Sequence, residues 1–201
     1  MSARDDILAG VRRALQDADR SEVSVPRGYR HTPPVSVDLF VERVADYRAE
    51  VVRCSPEEVE ARIAEALPPQ ARVLVPDGLP WQVPGAVADT GLTAVQLDDL
   101  DAVVTGATVG IASTGTIVLS HGPGEGRRAL TLVPDVHVCV VREEQVVADV
   151  PDAVAVLDPS RPTTWISGPS ATSDIELDRV EGVHGPRTLR VLVVGETLSR
   201  P

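Results

Sequence analysis

The fold class is decided by residues 51–76, which read VVRCSPEEVEARIAEALPPQARVLVP. A short apolar strand is followed by a helix that Ser55 caps and Pro56 begins, with Glu58 placed to close a capping box. A second apolar strand ends the segment. The order strand, helix, strand predicts a parallel β-α-β crossover, in which both strands join one sheet.

The rest of the chain continues this alternation. Apolar spacing predicts helices over 2–18, 36–49, 98–103 and 150–157. Runs of β-branched residues predict strands at 109–112, 116–119, 135–141, 165–167 and 189–194, the last two completing the sheet. The sequence therefore predicts an α/β fold with one largely buried sheet. The chain is predicted to consist of an N-terminal helix and irregular arm at 1–35, followed by a single α/β domain at 36–201.

Composition excludes several classes of function. The chain of 201 residues is 43% hydrophobic, which is enough for a core, and it carries a net charge of −11. An acidic protein is repelled by nucleic acid and by anionic membrane surfaces, so neither is an expected partner. All 19 basic residues are arginine, and the absence of lysine excludes a Schiff-base lysine and a P-loop lysine.

Cysteine usage and hydropathy indicate a reducing compartment. Cys54 and Cys139 are too few for an iron–sulfur cluster, which usually takes four thiolates, and they read as small buried hydrophobes. No signal-peptide core or membrane-length apolar run is present, so the protein is expected to be soluble and cytoplasmic. No metal-ligand spacing occurs, and no metal site is predicted.

Glycine- and hydroxyl-rich turns flank the predicted strands at 105–108, 113–116, 120–128, 167–176 and 182–186. Loops at strand ends present free backbone N–H groups, and glycine lets the backbone approach a ligand closely. Arg127 and Arg128 are suited to clamp a carboxylate or phosphate. These features favour a small-anion pocket. The alternative is that they are ordinary turns with solvated arginines.

Histidines and carboxylates are weaker signals. His137 lies on one face of its predicted strand, as either a structural residue or a base. His184 lies between two glycines, and structural and functional roles remain equally open, whereas His121 is expected to be solvated. Asp174 and Glu176 are either paired catalytic carboxylates in an extended segment or favourable charges in the first turn of a helix.

The motifs form an ordered series when they are taken together. They read TGTIVL at 114–119, LVPDVH at 132–137, GPSATSDIE at 168–176 and GVHGP at 182–186. In order and spacing this series resembles the signature of the LUD-domain family, specifically its single-domain lactate-utilisation protein C (LutC) type. The resemblance is strong over about 95–195 and looser before that.

The resemblance implies a ribose-phosphate isomerase or CoA-transferase-like fold and a role in lactate utilisation. The chain would be the cluster-free subunit of a complex that oxidises L-lactate to pyruvate, with no cofactor of its own. Two iron–sulfur partner proteins would carry the electrons, and a small carboxylate is the expected substrate.

The matched positions supply the candidate site residues. The expected catalytic residues are His184, Asp174 and Glu176. The expected ligand-binding residues are Thr114, Gly115, Thr116, Arg127, His137, Gly168 and Ser170, with Arg127 as the carboxylate anchor. Many relatives have Glu at the position of Ser113, and its absence here argues against acyl or CoA transfer at this turn.

Two other functions remain open from the sequence. The first is a stand-alone enzyme acting on a sugar phosphate or a CoA ester, which rests on analogy with the fold alone. The second is a small-anion sensor or scaffold without chemistry. Turnover by the isolated chain would favour the first, and ligand binding without recruitment of partners would favour the second.

Overall fold

The structure is a computed structural model that describes residues 2–19, 21, 24, 34–169, 171–172, 180–181 and 185–195. The chain divides into two compact units, residues 1–31 and 32–201. In the first unit, helix α1 spans Ala3–Ala14, within the predicted range 2–18, and Ser2 caps its start. Asp5 N donates to Ser2 Oγ at 3.3 Å, and Ser2 N donates to Asp5 Oδ2 at 3.1 Å.

The second unit carries the sheets and the remaining described helices. The helices are α2 (Val37–Asp46), α3 (Val59–Ala66), α4 (Ala94–Asp98) and α5 (Val150–Val156), with 3₁₀ turns at Pro56–Glu58, Arg128–Thr131 and Glu143–Gln145. The strands in chain order are β1 (Glu50–Cys54), β2 (Val73–Val75), β3 (Val87–Ala88), β4 (Ala102–Thr105), β5 (Val109–Ile111), β6 (Thr116–Leu119), β7 (Val136–Arg142), β8 (Val146–Val147), β9 (Thr164–Ile166), β10 (Ala171–Thr172), β11 (Val180–Glu181) and β12 (Thr188–Val194).

The larger sheet has the strand order β1-β12-β7-β4-β2-β3, and every neighbouring pair is parallel. Its central strands β4, β7 and β12 are rich in valine and mostly buried, as is usual for parallel strands that are covered on both faces. The predicted α/β class is therefore confirmed. Strands β1 and β2 do belong to one sheet, but three other strands separate them, so the crossover through α3 is a long one.

A four-stranded sheet, hereafter the smaller sheet, has the order β8-β5-β6-β9, in which β6 pairs antiparallel with both β5 and β9. Strands β10 and β11 form a separate two-stranded antiparallel sheet. The prediction that 165–167 completes the main sheet is wrong, because this segment forms β9 at the edge of the smaller sheet. Trp165 is 42% exposed. A half-exposed strand suits an edge better than the interior of a sheet that is covered on both faces.

The prediction of a helix at 98–103 is also wrong. Helix α4 begins earlier, where Thr93 N donates to the Gln96 side chain at 2.9 Å to form a capping box. Residues 102–105 instead form β4, whose four residues are all buried in the parallel sheet. The apolar and β-branched side chains of Ala102–Thr105 pack against strands on both sides, and this burial outweighs any helical tendency.

Two cores cover the two faces of the parallel sheet. On one face α3 packs through Val59 and Ile63 against Val138 and Val140. On the other face α2 and the smaller sheet form a core with Cys139 and other residues of β7 and β12. His137 shares this second face because side chains alternate along a strand. Among the residues described, no helix is both long and apolar enough to cross a membrane.

Candidate functional site

A cavity of about 270 Å³ lies between the two sheets. His137 of β7 and Leu189 of β12 line it from the parallel sheet. Residues 164–167, at β9 and just after it, line it from the smaller sheet. Its remaining described lining residues are Arg128, Thr131, Leu132, Gly168, Pro169, Gly185 and Pro186. None of these described lining residues carries a negative charge, although the whole chain is acidic.

The structure brings several predicted site residues to this cavity. His137 and Gly168 line it directly. Thr114 Oγ1 donates to Thr116 Oγ1 at 2.8 Å, and the Thr116 hydroxyl lies 2.9 Å from Ser167 Oγ. When the Thr116 hydroxyl donates its hydrogen bond to Ser167 Oγ, the Ser167 O–H remains available to donate to a ligand in the cavity. The turn at 114–116 thus reaches the cavity through Ser167.

Two of the predicted glycines have a packing requirement. Gly115 adopts φ +63°, and a Cβ built there would lie 2.5 Å from the carbonyl carbon of Arg43 in α2. Gly168 adopts φ +80°, and its Cβ would lie 2.6 Å from the carbonyl oxygen of Tyr47, the residue that follows α2. Both glycines pack directly against the backbone at the end of α2, and a residue with a Cβ would not fit at either position. Their role as ligand-binding residues stays a prediction.

Arg127, the predicted carboxylate anchor, is already engaged. Its Nε donates to Asp89 Oδ2 at 2.7 Å, one of its terminal nitrogens donates to Asp89 Oδ1 at 3.0 Å, and the same nitrogen also donates to the Leu92 carbonyl. These bonds from Arg127 are the main cause of the lowered pKa of Asp89. By contrast, Arg128 lines the cavity and has no ion-pair partner among the described residues.

His137 is the most deeply buried titratable group of the cavity wall. It is 1% exposed, and its Nε2 lies 2.8 Å from Thr105 Oγ1. Burial lowers the pKa of His137 from 6.5 to about 4, because desolvation disfavours the imidazolium. At neutral pH the ring is therefore uncharged, so among the described lining residues the positive charge comes from Arg128.

This burial predicts a pH dependence of stability. The folded pKa of His137 lies below its ordinary value, so below about pH 6.5 the unfolded chain binds a proton that the folded chain does not. The free energy of unfolding should fall as the pH is lowered from about 6.5 toward 4. The contribution of this group should reach at most roughly 1.4 kcal/mol per pH unit.

Urea unfolding of the wild type and of His137→Gln between pH 7 and pH 5 measures this contribution. The wild type should lose stability more steeply than the variant over this range, while carboxylate titration affects both proteins alike. Parallel pH profiles in the two proteins would contradict the assignment of a neutral buried imidazole.

Other predicted residues have different outcomes. Ser170, Asp174, Glu176 and His184 lie outside the described residues, so their roles stay predictions. His121 is not simply solvated as expected, because its Nδ1 lies 2.8 Å from the Gly126 carbonyl oxygen and its Nε2 lies 3.0 Å from Thr164 Oγ1. The carbonyl oxygen can only accept, so Nδ1–H of His121 is the donor in that bond.

Some residues around the site were not singled out from the sequence. Glu125 in the glycine-rich loop is 7% exposed, and it accepts from Thr108 Oγ1 and Ser120 N, each at 2.6 Å. It fixes the loop that precedes Arg128. In the sequence, the position of Glu125 between two glycines was the signal that could have identified it. Ser113, which was singled out from the sequence, donates from its Oγ to Asp149 Oδ1 at 2.8 Å at the start of α5.

The parallel sheet and the cavity beside it define an α/β protein with a candidate site for a small ligand, whose described lining is cationic, hydroxyl-bearing and apolar. The model of the LUD domain matches residues 88–194. The chain belongs to the LUD domain family, as the motif series predicted.

The relatives agree with this placement. Lactate utilization protein C of Deinococcus radiodurans is 45% identical over an alignment that covers 96% of this chain and 96% of that protein. Lactate utilization protein C of Bacillus licheniformis is 28% identical over 123 residues, which cover 57% of this chain and 50% of that protein. The crystal structure of a DUF162 family protein from Deinococcus radiodurans superposes with a TM-score of 0.68 at 43% identity, covering 78% of this chain and 94% of that one.

Proposed function

We propose that this chain is the cluster-free subunit of a lactate-utilisation system that oxidises L-lactate to pyruvate, and that the cavity binds the small carboxylate. The observation that carries the proposal is that Arg128 lines a cavity whose described wall contains no acidic residue. The names of the relatives supply the metabolic context.

Arg128 is suited to anchor the carboxylate. An arginine presents two parallel N–H donors that match the two oxygens of a carboxylate, and such charge-assisted bonds are among the strongest in proteins. The Ser167 hydroxyl adds a neutral donor at the same cavity. His137 is neutral, so it offers a ring nitrogen for hydrogen bonding and carries no positive charge that would compete with Arg128 for the anion. Arg128 therefore takes the anchoring role that was predicted for its neighbour Arg127.

The rest of the wall suits a short aliphatic chain. Leu132, Ile166 and Leu189 line the cavity with apolar surface, on which a methyl group is buried favourably. Sites for drug-sized ligands usually exceed about 300 Å³, and this cavity of about 270 Å³ lies just below that size. It therefore suits a metabolite of a few carbon atoms better than a dinucleotide.

Oxidation of L-lactate to pyruvate releases two electrons and two protons, so an electron acceptor is required. The cysteines of this chain do not fit a cluster. Cys54 and Cys139 belong to the cores on opposite faces of the parallel sheet. Burial raises the pKa of both thiols, that of Cys139 to about 12, whereas cluster ligands are thiolates. We therefore assign the electrons to two iron–sulfur partner proteins.

Adjacent arginines provide a matched test of the anchor. Arg128→Ala should weaken the binding of L-lactate by about 10- to 100-fold, because a charge-assisted hydrogen bond contributes roughly 1.5–3 kcal/mol. Arg127→Ala should leave the affinity within about twofold and lower stability, since it breaks the pair with Asp89. Isothermal titration calorimetry measures the affinities. Equal loss in both variants would contradict Arg128 as the anchor.

The proposed complex has its own test. Anaerobic affinity purification of the tagged full chain from lactate-grown cells should recover two cysteine-rich, iron-containing proteins. The purified material should reduce a dye when L-lactate is added. Recovery of the chain alone and free of iron would contradict the subunit assignment, even if the isolated chain binds lactate.

A further inference from the structure

A hydrogen-bonded chain of side chains runs from the cavity wall into the core of the parallel sheet. His137 Nε2 lies 2.8 Å from Thr105 Oγ1, Thr105 Oγ1 lies 3.8 Å from Cys139 Sγ, and Cys139 Sγ lies 3.6 Å from the Gly106 carbonyl oxygen. The parallel register places Thr105 of β4 beside Cys139 of β7. His137 and Cys139 face the same side of β7 because they are two residues apart.

The direction of this chain is fixed at its buried end. The Gly106 carbonyl oxygen can only accept, so the Cys139 thiol donates its single proton there. The sulfur then accepts from the Thr105 hydroxyl, whose single proton is spent on that bond. The Thr105 oxygen is left to accept, and the donor to it is His137 Nε2–H.

The fully buried thiol supports this direction. Burial raises the pKa of Cys139 to about 12, so the thiol keeps its proton throughout the physiological range. Thr105, His137 and Cys139 are each buried, with 0%, 1% and 0% of their surface exposed. Water from solvent therefore has little access with which to replace these partners.

Resting on the function proposed above, we infer that the Thr105–Cys139–Gly106 chain holds His137 as the Nε2–H tautomer, so that Nδ1 accepts a hydrogen bond from the ligand and selects a 2-hydroxy acid over the matching 2-oxo acid. Among the described residues the side chain of His137 is hydrogen-bonded through Nε2 and not through Nδ1, and His137 lines the cavity. A hydroxyl group can donate to Nδ1, whereas a ketone oxygen opposite its lone pair is repelled.

This assignment divides recognition of the ligand between two groups. Arg128 binds the carboxylate, which L-lactate and pyruvate share. His137 contacts the oxygen on the second carbon, which is the only position at which the two acids differ. Thr105 and Cys139 touch neither acid and act as positioning residues, because they determine which ring nitrogen of His137 carries the proton.

The tautomer is measured directly by long-range ¹H–¹⁵N correlation spectra of ¹⁵N-histidine-labelled full-length protein at pH 7, with the His137 signals assigned from the His137→Gln variant. The wild type should show the Nε2–H form. In Cys139→Ala the Thr105 hydroxyl loses its acceptor and should turn to donate to Nε2, which moves the proton to Nδ1. Cys139→Ser keeps both a donor and an acceptor at this position and should retain the Nε2–H form.

The selectivity is measured by calorimetric titration of the same proteins with L-lactate and pyruvate. The wild type should bind L-lactate about 3- to 10-fold more tightly, the value of one neutral hydrogen bond. Cys139→Ala should lose or reverse this ratio, and Cys139→Ser should keep it. Thr105→Val, which is nearly isosteric, should also lose the ratio and serves if Cys139→Ala does not fold.

The two sets of measurements separate this inference from the proposed function. A wild-type Nδ1–H tautomer, or tighter binding of pyruvate than of L-lactate, would overturn the inference while leaving Arg128 as the carboxylate anchor. Failure of both acids to bind would contradict the proposed function, and the spectra would still decide the direction of the hydrogen-bonded chain.

Discussion

Replacement of Gly115 by alanine should lower the free energy of unfolding by about 2–5 kcal/mol. The residue adopts φ +63°, which costs an L-residue roughly 1–2 kcal/mol. The new Cβ would also lie 2.5 Å from the carbonyl carbon and 2.7 Å from the carbonyl oxygen of Arg43. These are backbone atoms of α2, so relief of the clash requires the helix to move, and overpacking of this kind adds roughly 1–3 kcal/mol.

Gly85 provides the matched control for this prediction. It adopts φ +74°, but a Cβ built there has no heavy atom within 4 Å. Gly85→Ala should therefore show only the backbone cost of roughly 1–2 kcal/mol. Urea unfolding monitored by circular dichroism gives both values. Equal losses in the two variants would mean that the contact between Gly115 and α2 contributes nothing to stability.

Replacement of Phe40 by alanine should cost about 3–5 kcal/mol, the usual range for loss of a fully buried aromatic side chain. Phe40 is 0% exposed and belongs to the core between the two sheets. Its ring lies against Gly110 of β5, where a Cβ would approach two ring atoms at 3.0 Å. Its removal leaves a cavity between α2 and the hairpin that carries the turn at 114–116.

The same denaturant measurement tests this prediction, with an exposed valine as its control. Val95 is 76% exposed, and Val95→Ala should change stability by no more than about 0.5 kcal/mol. Phe40→Ala should also weaken binding of L-lactate, because the hairpin positions Ser167 through Thr116. A stable Phe40→Ala protein would show that α2 does not depend on this ring for its packing.

Local signals explain how much of the fold the sequence could predict. The helix start at Ser55 is recovered because a capping box is a local arrangement, and in the structure Ser55 N donates to Glu58 Oε2 at 3.0 Å. The predictions for β4 and β9 were wrong because the structure of these segments depends on non-local contacts. Whether 102–105 is a helix or a strand, and which sheet 164–166 joins, depends on partners distant in sequence.

The candidate site shows the same division. His137 was placed correctly on one face of its strand, because alternation is local. The choice between Arg127 and Arg128 could not be made from the sequence, because it depends on Asp89, a residue 38 positions away. The role of Thr105 also depends on a register between two strands of a parallel sheet, which no local pattern encodes.

The contacts of Gly115 and Gly168 with α2 also limit how the protein can be divided. The region that matches the family model begins at residue 88, whereas α2 spans Val37–Asp46 and β1 and β2 also precede that point. A fragment expressed from residue 88 would contain every motif of the family but would lack the helix against which two of them close. Comparative surveys or engineered fusions that adopt the family boundary would therefore omit part of the scaffold that holds the cavity together.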